Sequence, residues 1–149
     1  MLGKTRKSGG ALKKQYTVSS DVLPKASELL RLFTQAHWAC HRNQDDTEAL
    51  LQKTDVFVTV RDRGRLIGFG RALSDGVFRA LLDDIIVDQG HRNQGVGGII
   101  VKTLMEQLSD IEEIYLNTDP PLESFYGKYD FKTYHGLTMK TERGPAASA

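Results

Sequence analysis

The stretch VDQGHRNQGVGGIIVKTL, residues 87–104, decides the fold. An apolar run ends at Val87, four glycines follow, and apolar side chains recurring every four residues from Val96 predict an amphipathic helix at 94–109. Glycines at such a junction let the backbone approach a ligand, and the first helical turn offers unpaired N–H groups and a positive dipole end. The junction therefore indicates a phosphate site, to which Arg92 adds a fixed charge. The alternative is a tightly packed glycine turn that binds nothing.

Two well-known phosphate loops do not fit the spelling. A P-loop requires GxxxxGK[ST], and neither Gly90 nor Gly95 is followed by Gly-Lys at the right distance. The dinucleotide fingerprint GxGxxG begins at Gly95 and Gly97 but meets Ile100 at its third glycine. Neither class of nucleotide-binding protein is indicated.

The rest of the chain places strands and helices around this junction. DRGR (62–65) is a turn between two strand-like runs, and SDG (74–76) leads to a third, so three antiparallel strands precede the glycines. The strand–helix–strand step that follows implies a parallel pair inside a mixed sheet. The predicted class is α/β (α+β), a mixed central sheet flanked by helices in the order β-α-α-β-β-β-α-β-α-β. Its elements are a strand at 15–20, helices ending near 38 and at 44–53, strands at 55–62, 66–73 and 77–88, a helix at 94–109, a strand at 112–118, a short helix at 121–129 and a strand at 131–141.

Length and composition fit one soluble globular domain, because 40% of the 149 residues are apolar and 26% are charged. We predict a flexible basic N-terminal arm at 1–14, a single domain at 15–141 and a tail at 142–149. The net charge of +1 favours neither nucleic acid nor a membrane as partner. Cys40 is the only cysteine and no secretory signal is visible, so a cytoplasmic location is expected, with a transit peptide as the alternative for residues 1–14.

The glycine junction resembles the acyl-CoA loop of the GNAT N-acetyltransferase superfamily, whose pattern is Q/R-x-x-G-x-G/A. Arg92, Gly95 and Gly97 supply the matching positions. The order of elements from residue 15 to 140 is also similar to that of the GNAT fold.

A second resemblance to the same family lies downstream, in ESFYGKYDF (123–131), which places Tyr126 at the family's tyrosine position. Two residues depart from the pattern. Asp119 stands where many members have Asn, and Asp130 stands where glycine is usual.

The resemblance implies acetyl-CoA as co-substrate and no metal. Backbone N–H groups of 92–98 would wrap its pyrophosphate, and the end of the third antiparallel strand would splay from the next strand to bind the acetyl and pantetheine groups. The implied cofactor-binding residues are Ile85, Ile86, Val87, Arg92, Asn93, Gln94, Gly95, Val96, Gly97, Gly98, Asp119 and Tyr126.

Acetyl transfer to an amine requires a base for the amine and a proton donor for the departing thiolate. By resemblance Tyr126 is the predicted donor, with Tyr129 as the less favoured substitute and aromatic packing as the alternative.

Asp83 and Asp84 stand inside an apolar strand, which costs free energy unless something uses or pairs them. Neighbouring strand residues point to opposite faces, so only one is expected to see the amine. The family resemblance, in which an acid stands at this spacing before the loop, makes Asp84 the predicted base. The alternative is a carboxylate that binds the substrate ammonium or pairs with an arginine such as Arg71 or Arg79.

The segment HWACH places His37, Cys40 and His41 at helical i, i+3, i+4 spacing. A metal site is a weak interpretation because no HExxH signature or nearby acid accompanies it. With Trp38, these residues are more typical of a segment that lines the acceptor pocket or packs the first helix. His91 and His135 have no evident partner in the sequence.

The stretch LIGFGRALSDGVFRALLDDIIVD (66–88) resembles the branch that contains plant and cyanobacterial serotonin (arylalkylamine) N-acetyltransferases. That resemblance implies a small primary amine as acceptor, with direct transfer in a ternary complex, since no cysteine nucleophile is required. The open alternatives are a non-catalytic acyl-CoA-binding regulatory domain and a protein or peptide N-acetyltransferase. A homodimer through residues 131–141 is a further expectation.

Overall fold

The structure is a computed structural model that describes residues 15–144. The predicted arm at 1–14 and the last five residues of the predicted tail lie outside the described residues. The described chain forms two compact units, one ending at Asn117 and the other beginning at Thr118.

A mixed sheet organises the first unit, as the sequence predicts, and it has five strands in the described chain. Its strands lie in chain order, the first three pairings are antiparallel, and the last is parallel. The strands are β1 (Thr17–Ser19), β2 (Val56–Asp62), β3 (Arg65–Ser74), β4 (Arg79–Val87) and β5 (Glu113–Tyr115).

The hairpin between β2 and β3 shows how local sequence sets the register. Asp62 and Arg65 are paired, which leaves Arg63 and Gly64 as a two-residue loop. Both have positive φ, 51° and 82°, as in the primed turns whose twist matches that of a hairpin. The predicted turn at 62–65 is thus confirmed.

Three helices accompany the sheet in the first unit, and α4 lies in the second. They are α1 (Ala26–Phe33), α2 (Gln44–Gln52), α3 (Val96–Gln107) and α4 (Glu123–Gly127), with 3-10 turns at Gln89–His91 and Pro120–Leu122. The start of α1 is fixed by the Lys25 N–H, which donates to Glu28 Oε2 at 2.9 Å. The described chain has no helix long and apolar enough to cross a bilayer.

Two apolar layers cover opposite faces of the sheet. On one face, Phe69 and Ile86 belong to the core formed with the buried side chains of α1 and Leu51 of α2. On the other face α3 packs directly on β3, since a Cβ added at Gly70 would lie 2.5 Å from Cγ2 of Ile100. This close contact fixes the height of α3, and with it the glycine junction, above the sheet.

The last predicted strand is absent from the described chain, because residues 131–141 form no strand. Their apolar side chains are exposed, as Tyr134, Leu137 and Met139 are 75%, 86% and 84% accessible. The ring of Tyr134 covers Gly136, where an added Cβ would lie 2.2 Å from the ring. A local bend thus replaces the extended conformation that a strand requires. The prediction of a strand here was wrong.

Candidate active site

The glycine junction forms an exposed turn that opens directly into the first turn of α3. Asn93 and Gly95 have φ of 60° and 87°, a left-handed backbone that favours glycine at position 95. The Ile99 N–H donates to the Gly95 carbonyl at 3.2 Å. The N–H groups of residues 96–98 therefore lie in the first turn, where a helix supplies no acceptor. No side chain among the described residues caps this end of α3, so these N–H groups could bind an anion.

Side chains of the junction fold back on its own backbone. Arg92 is exposed, and its Nε donates to the Val87 carbonyl at 3.3 Å. Gln94 donates to the Gly90 carbonyl at 3.3 Å and accepts from the Tyr16 hydroxyl at 3.3 Å. The guanidinium of Arg92 thus stays at the rim of the turn, where it adds positive charge.

Asp88 anchors the junction to the body of the first unit. Its carboxylate accepts from Arg31 at 3.2 Å, from Gln35 at 2.9 Å and from the Gly90 N–H at 3.2 Å, and it contacts His91 Nδ1 at 2.9 Å. Burial alone would raise the pKa of Asp88, but the hydrogen bonds from Gln35, His91 and Gly90 outweigh it and lower the pKa to about 2.

His91 extends this anchor to the sheet, because its Nε2 lies 3.2 Å from Asp62 Oδ2 at the end of β2. No partner for His91 is evident from the sequence, because Asp62 is 29 residues away in the chain. The two carboxylates fix the imidazole ring from both sides.

β4 and β5 are paired over only part of β4. The register joins Arg79, Ala80 and Leu81 to residues 113–115. Residues 82–87 of β4 have no partner on that side among the described strands. They include Ile85, Ile86 and Val87, the residues predicted to bind the acyl group. Apart from the Val87 carbonyl, which accepts from Arg92, they leave backbone N–H and C=O groups at an open edge.

A β-bulge interrupts β4 inside this unpaired stretch. Phe69 pairs with Ile86 and Arg71 with Asp83, so Asp84 and Ile85 together lie opposite Gly70. Asp84 has a φ of 52°, a left-handed conformation that costs about 1–3 kcal/mol for a residue with a side chain. Bulges of this kind re-aim a side chain and are frequent beside active sites.

The bulge brings both acids of β4 to one arginine. Arg71 Nε lies 2.6 Å from Asp84 Oδ2, and Arg71 Nη2 lies 3.2 Å from Asp83 Oδ2. The expectation that these neighbours face opposite sides was wrong, because strand alternation fails at the bulge. The pairing with Arg71 that the sequence left open is present. The role of Asp84 as base stays a prediction.

Arg42 completes the cluster from the segment between α1 and α2. Its Nη1 lies 2.9 Å from Asp84 Oδ1, and its guanidinium stacks 4.5 Å from the centroid of Phe33 and 5.6 Å from that of Trp38. Phe33 and Trp38 meet edge to face at 6.3 Å. Trp38 thus packs at the end of α1, one of the two roles considered for it.

The HWACH segment is not helical, because α1 ends at Phe33 and turns follow. The helical spacing assumed for His37, Cys40 and His41 was therefore wrong, and all three are exposed. Within residues 15–144, no three His, Cys, Asp or Glu side chains are placed to hold a metal ion.

Tyr126 and Asp119 belong to the second unit. Tyr126 is buried in an aromatic group, with Phe125 at 4.9 Å and Phe131 at 6.1 Å between ring centroids, and burial raises the pKa of its phenol. Asp119 is exposed and precedes the 3-10 turn at Pro120–Leu122. Asp130 has a φ of 66°, a conformation for which glycine is usual and which Asp tolerates better than most residues.

Comparison with known proteins identifies the class to which this architecture belongs. The profile of the acetyltransferase (GNAT) family matches residues 23–131. The chloroplastic GCN5-related N-acetyltransferase 1 of Arabidopsis thaliana is 33% identical over 132 residues, covering 78% of this chain and 67% of that protein. The chain belongs to the GNAT acetyltransferase family.

Further similarities refine this placement. The chloroplastic serotonin N-acetyltransferase 2 of Oryza sativa is 32% identical over 65 residues, which cover 42% of this chain and 32% of that protein. A crystal structure of a GNAT-family protein from Xanthomonas campestris has the same fold, with a TM-score of 0.77 at 21% identity over 90% of this chain and 98% of that one. This chain spans about half the length of two N-acetyltransferases that it matches, 49% of the one from Pyropia yezoensis and 45% of the one from Porphyra purpurea.

The residues of the first unit fit the family's donor, acetyl-CoA. The open turn of α3 and the exposed Arg92 suit a pyrophosphate, and the unpaired end of β4 offers the N–H and C=O groups that amide and acyl groups require.

Sequence reasoning missed the supporting residues Arg31, Gln35, Asp62, Asp88 and Arg42. Gly70, a glycine inside a strand pattern, was the one local signal of the bulge.

Proposed function

We propose that this protein is an acetyl-CoA-dependent N-acetyltransferase that moves the acetyl group to a small primary amine by direct transfer in a ternary complex. One observation carries the proposal. An anion-receiving turn at Gly95 follows, within one loop, a strand whose last six residues have no partner on the side of β5 among the described strands. A phosphate-bearing acyl donor needs both features, and they lie at the two ends of the same short connection.

The donor's phosphates would be held by the N–H groups of residues 96–98, with charge from Arg92. The acyl end would lie along Ile85, Ile86 and Val87, where a backbone N–H can polarise the thioester carbonyl and stabilise the oxyanion that forms on attack. Asn93 and Gln94 complete the proposed binding set in the first unit, and Asp119 is retained as a proposed cofactor-binding residue on the family resemblance alone.

The chemistry is the transfer of an acyl group from sulfur to nitrogen. The ammonium of the acceptor loses a proton, the neutral nitrogen attacks the thioester carbon, and the C–S bond breaks with its electron pair on sulfur. The nitrogen loses a second proton as the amide forms, and this loss balances the proton that the thiolate takes up. The Tyr126 phenol is proposed to protonate the thiolate. Because burial raises the pKa of this phenol, it carries its proton throughout the neutral range.

The acceptor is proposed to be an arylalkylamine or another small amine. The support is the resemblance of residues 66–88 to the serotonin N-acetyltransferase branch and the identity with the rice protein of that name. A peptide acceptor is the competing proposal. Equal turnover of peptides and small amines would contradict our choice.

The test is an acceptor screen that measures CoA release from acetyl-CoA with aromatic amines, polyamines, amino acids and peptides. We expect release with small amines. Tyr126→Phe should lower kcat by a hundredfold or more while acetyl-CoA binding is retained, the scale typical of a lost general acid. Tyr129→Phe is the matched control, since its ring lies 5.7 Å from Phe125 in the same group, and it should keep most of its activity. Tight CoA binding without release on any acceptor would support a non-catalytic acyl-CoA-binding domain.

The cellular location and the oligomeric state of the protein are two further proposals. The cytoplasmic location expected from the sequence stands beside relatives whose names place them in the chloroplast. A homodimer through residues 131–141 is proposed because that segment exposes Tyr134, Leu137 and Met139. Sedimentation of the full chain, compared with a variant carrying Leu137→Lys, tests the second proposal.

A further inference from the structure

The two acids of β4 differ in how much of each carboxylate is available to a ligand. Asp84 has a fully buried side chain, and each of its oxygens accepts from a different guanidinium, at 2.6 Å from Arg71 and 2.9 Å from Arg42. A ligand ammonium could reach Asp84 only by displacing an arginine and leaving that charge buried without its partner. This geometry suits Asp84 to hold the two arginines in place and not to bind a ligand.

The carboxylate of Asp83, unlike that of Asp84, is accessible to a ligand. Its side chain is 41% exposed, with Oδ1 accepting from the Asp84 N–H at 2.9 Å and Oδ2 from Arg71 at 3.2 Å. A carboxylate has about four lone-pair positions, so two remain after these bonds. Those positions can accept from an incoming ammonium group.

The place of Asp83 in the sheet suits the acceptor. It stands two residues after Leu81, the last residue of β4 that pairs with β5, and therefore lies at the beginning of the unpaired edge. It also stands two residues before Ile85, the first residue of the proposed acyl-binding stretch. An amine held at Asp83 would therefore lie close to the acyl carbon along the strand, because successive residues are about 3.3 Å apart.

The support behind Asp83 is rigid. Arg71 is bonded to both acids and is 14% exposed, and Arg42 is held by its stacking on Phe33. The bulge conformation of Asp84 fixes the backbone N–H that orients Asp83. The open carboxylate thus has a set position, as a binding group requires.

We propose that Asp83, and not Asp84, binds the acceptor's ammonium group, and that Asp84 with Arg42 and Arg71 positions it. This assignment rests on the proposed function. Asp83 holds the amine by a charge-assisted hydrogen bond before transfer, and the proton that the amine loses passes to solvent through the exposed side of the carboxylate. Asp83 then selects protonated amines over uncharged molecules of the same shape.

The experiment compares tryptamine as acceptor with tryptophol, its alcohol analogue, as inhibitor. In Asp83→Asn we expect the KM for tryptamine to rise roughly tenfold or more, the scale of one charge-assisted hydrogen bond, while inhibition by tryptophol and the KM for acetyl-CoA are unchanged. Asp83→Glu should recover part of the loss. Glu113→Gln is the matched control, since that carboxylate has 46% exposure and also pairs with an arginine, Arg79 at 3.4 Å, yet lies outside the proposed site.

Asp84→Asn separates the two roles. We expect a lower melting temperature and a lower kcat with every amine, with the preference for tryptamine over tryptophol retained. The inference is overturned if Asp83→Asn keeps that preference while the wild type turns over amines normally. It is also overturned if a folded Asp84→Asn loses the preference. Absence of turnover by the wild type with every amine would overturn the proposed function, and this inference with it.

Discussion

The left-handed backbone at Gly95 makes a sharp prediction, because the chain contains a matched control for it. Gly95 has a φ of 87° and Gly76 a φ of 80°, and a Cβ added at either would meet no atom within 4 Å. Replacement by alanine therefore costs only the backbone term, about 1–2 kcal/mol at each site. Both variants should lose about 2–8 °C in melting temperature, the range that this cost gives for a chain of this size.

The two glycines lie at opposite ends of β4, so their effects on donor binding should differ. The turn at Gly76 precedes β4, whose nine residues span about 30 Å, and the Gly95 turn follows it. Alanine at 95 relieves its strain by rotating the peptide that carries the Val96 N–H. Misplacing this N–H group should raise the KM for acetyl-CoA roughly tenfold, whereas Gly76→Ala should leave that KM within about twofold of the wild-type value.

Steady-state kinetics with acetyl-CoA varied, together with thermal melts of both variants, provide the test. Gly95→Asn should fall between wild type and alanine, because Asn enters the left-handed region more readily. If Gly95→Ala loses stability but keeps its KM, the turn does not position the donor. If Gly76→Ala raises the KM equally, the effect is a general consequence of instability.

The remaining predictions concern packing and pH. Gly70→Ala should destabilise the protein by about 1–3 kcal/mol in urea unfolding, since its Cβ would lie 2.5 Å from Ile100. Ile100→Ala removes that contact, so the double variant should lose less stability than the sum of the two single variants. Fully additive losses would refute the contact. Arg61 lowers the pKa of Glu28 from 4.5 to about 2 through a bidentate hydrogen bond, so the stabilisation is present above pH 4.5 and disappears as the pH falls toward 2. Glu28→Gln should therefore be less stable than wild type at pH 7, with a difference in urea midpoint that shrinks below pH 4.5; a constant difference would contradict the assignment.

The sheet and its order could be predicted from the sequence because the signals are local. Arg63 and Gly64 favour a tight turn, and the spacing of Val96 and Ile100 predicts α3 without reference to distant residues. Residue periodicity and turn chemistry act over a few positions, and those parts of the prediction were confirmed.

Apart from the pairing with Arg71, the environment of the acids could not be predicted, because its causes are distant in the chain. Arg42 reaches Asp84 across 42 residues, and His91 meets Asp62 across 29. The bulge at Asp84 is a property of register against β3, and the alternating pattern of an apolar strand does not reveal it. Residues 131–141 show the complementary failure: their composition suits a strand, but a strand also needs a partner.

The anchor at Asp88 has a consequence for the thermodynamics of binding. Arg31 of α1, Gln35 just after α1 and a carboxylate of β2 hold the turn before any ligand arrives. The conformational entropy of ordering this turn is therefore lost during folding and not on binding. We therefore expect the affinity for acetyl-CoA to depend on the stability of α1 and of the turn that follows it, because Arg31 and Gln35 hold the glycine junction through Asp88. Helix α1, which contributes the Phe33 ring that stacks on Arg42, thus also helps to hold the glycine junction in place.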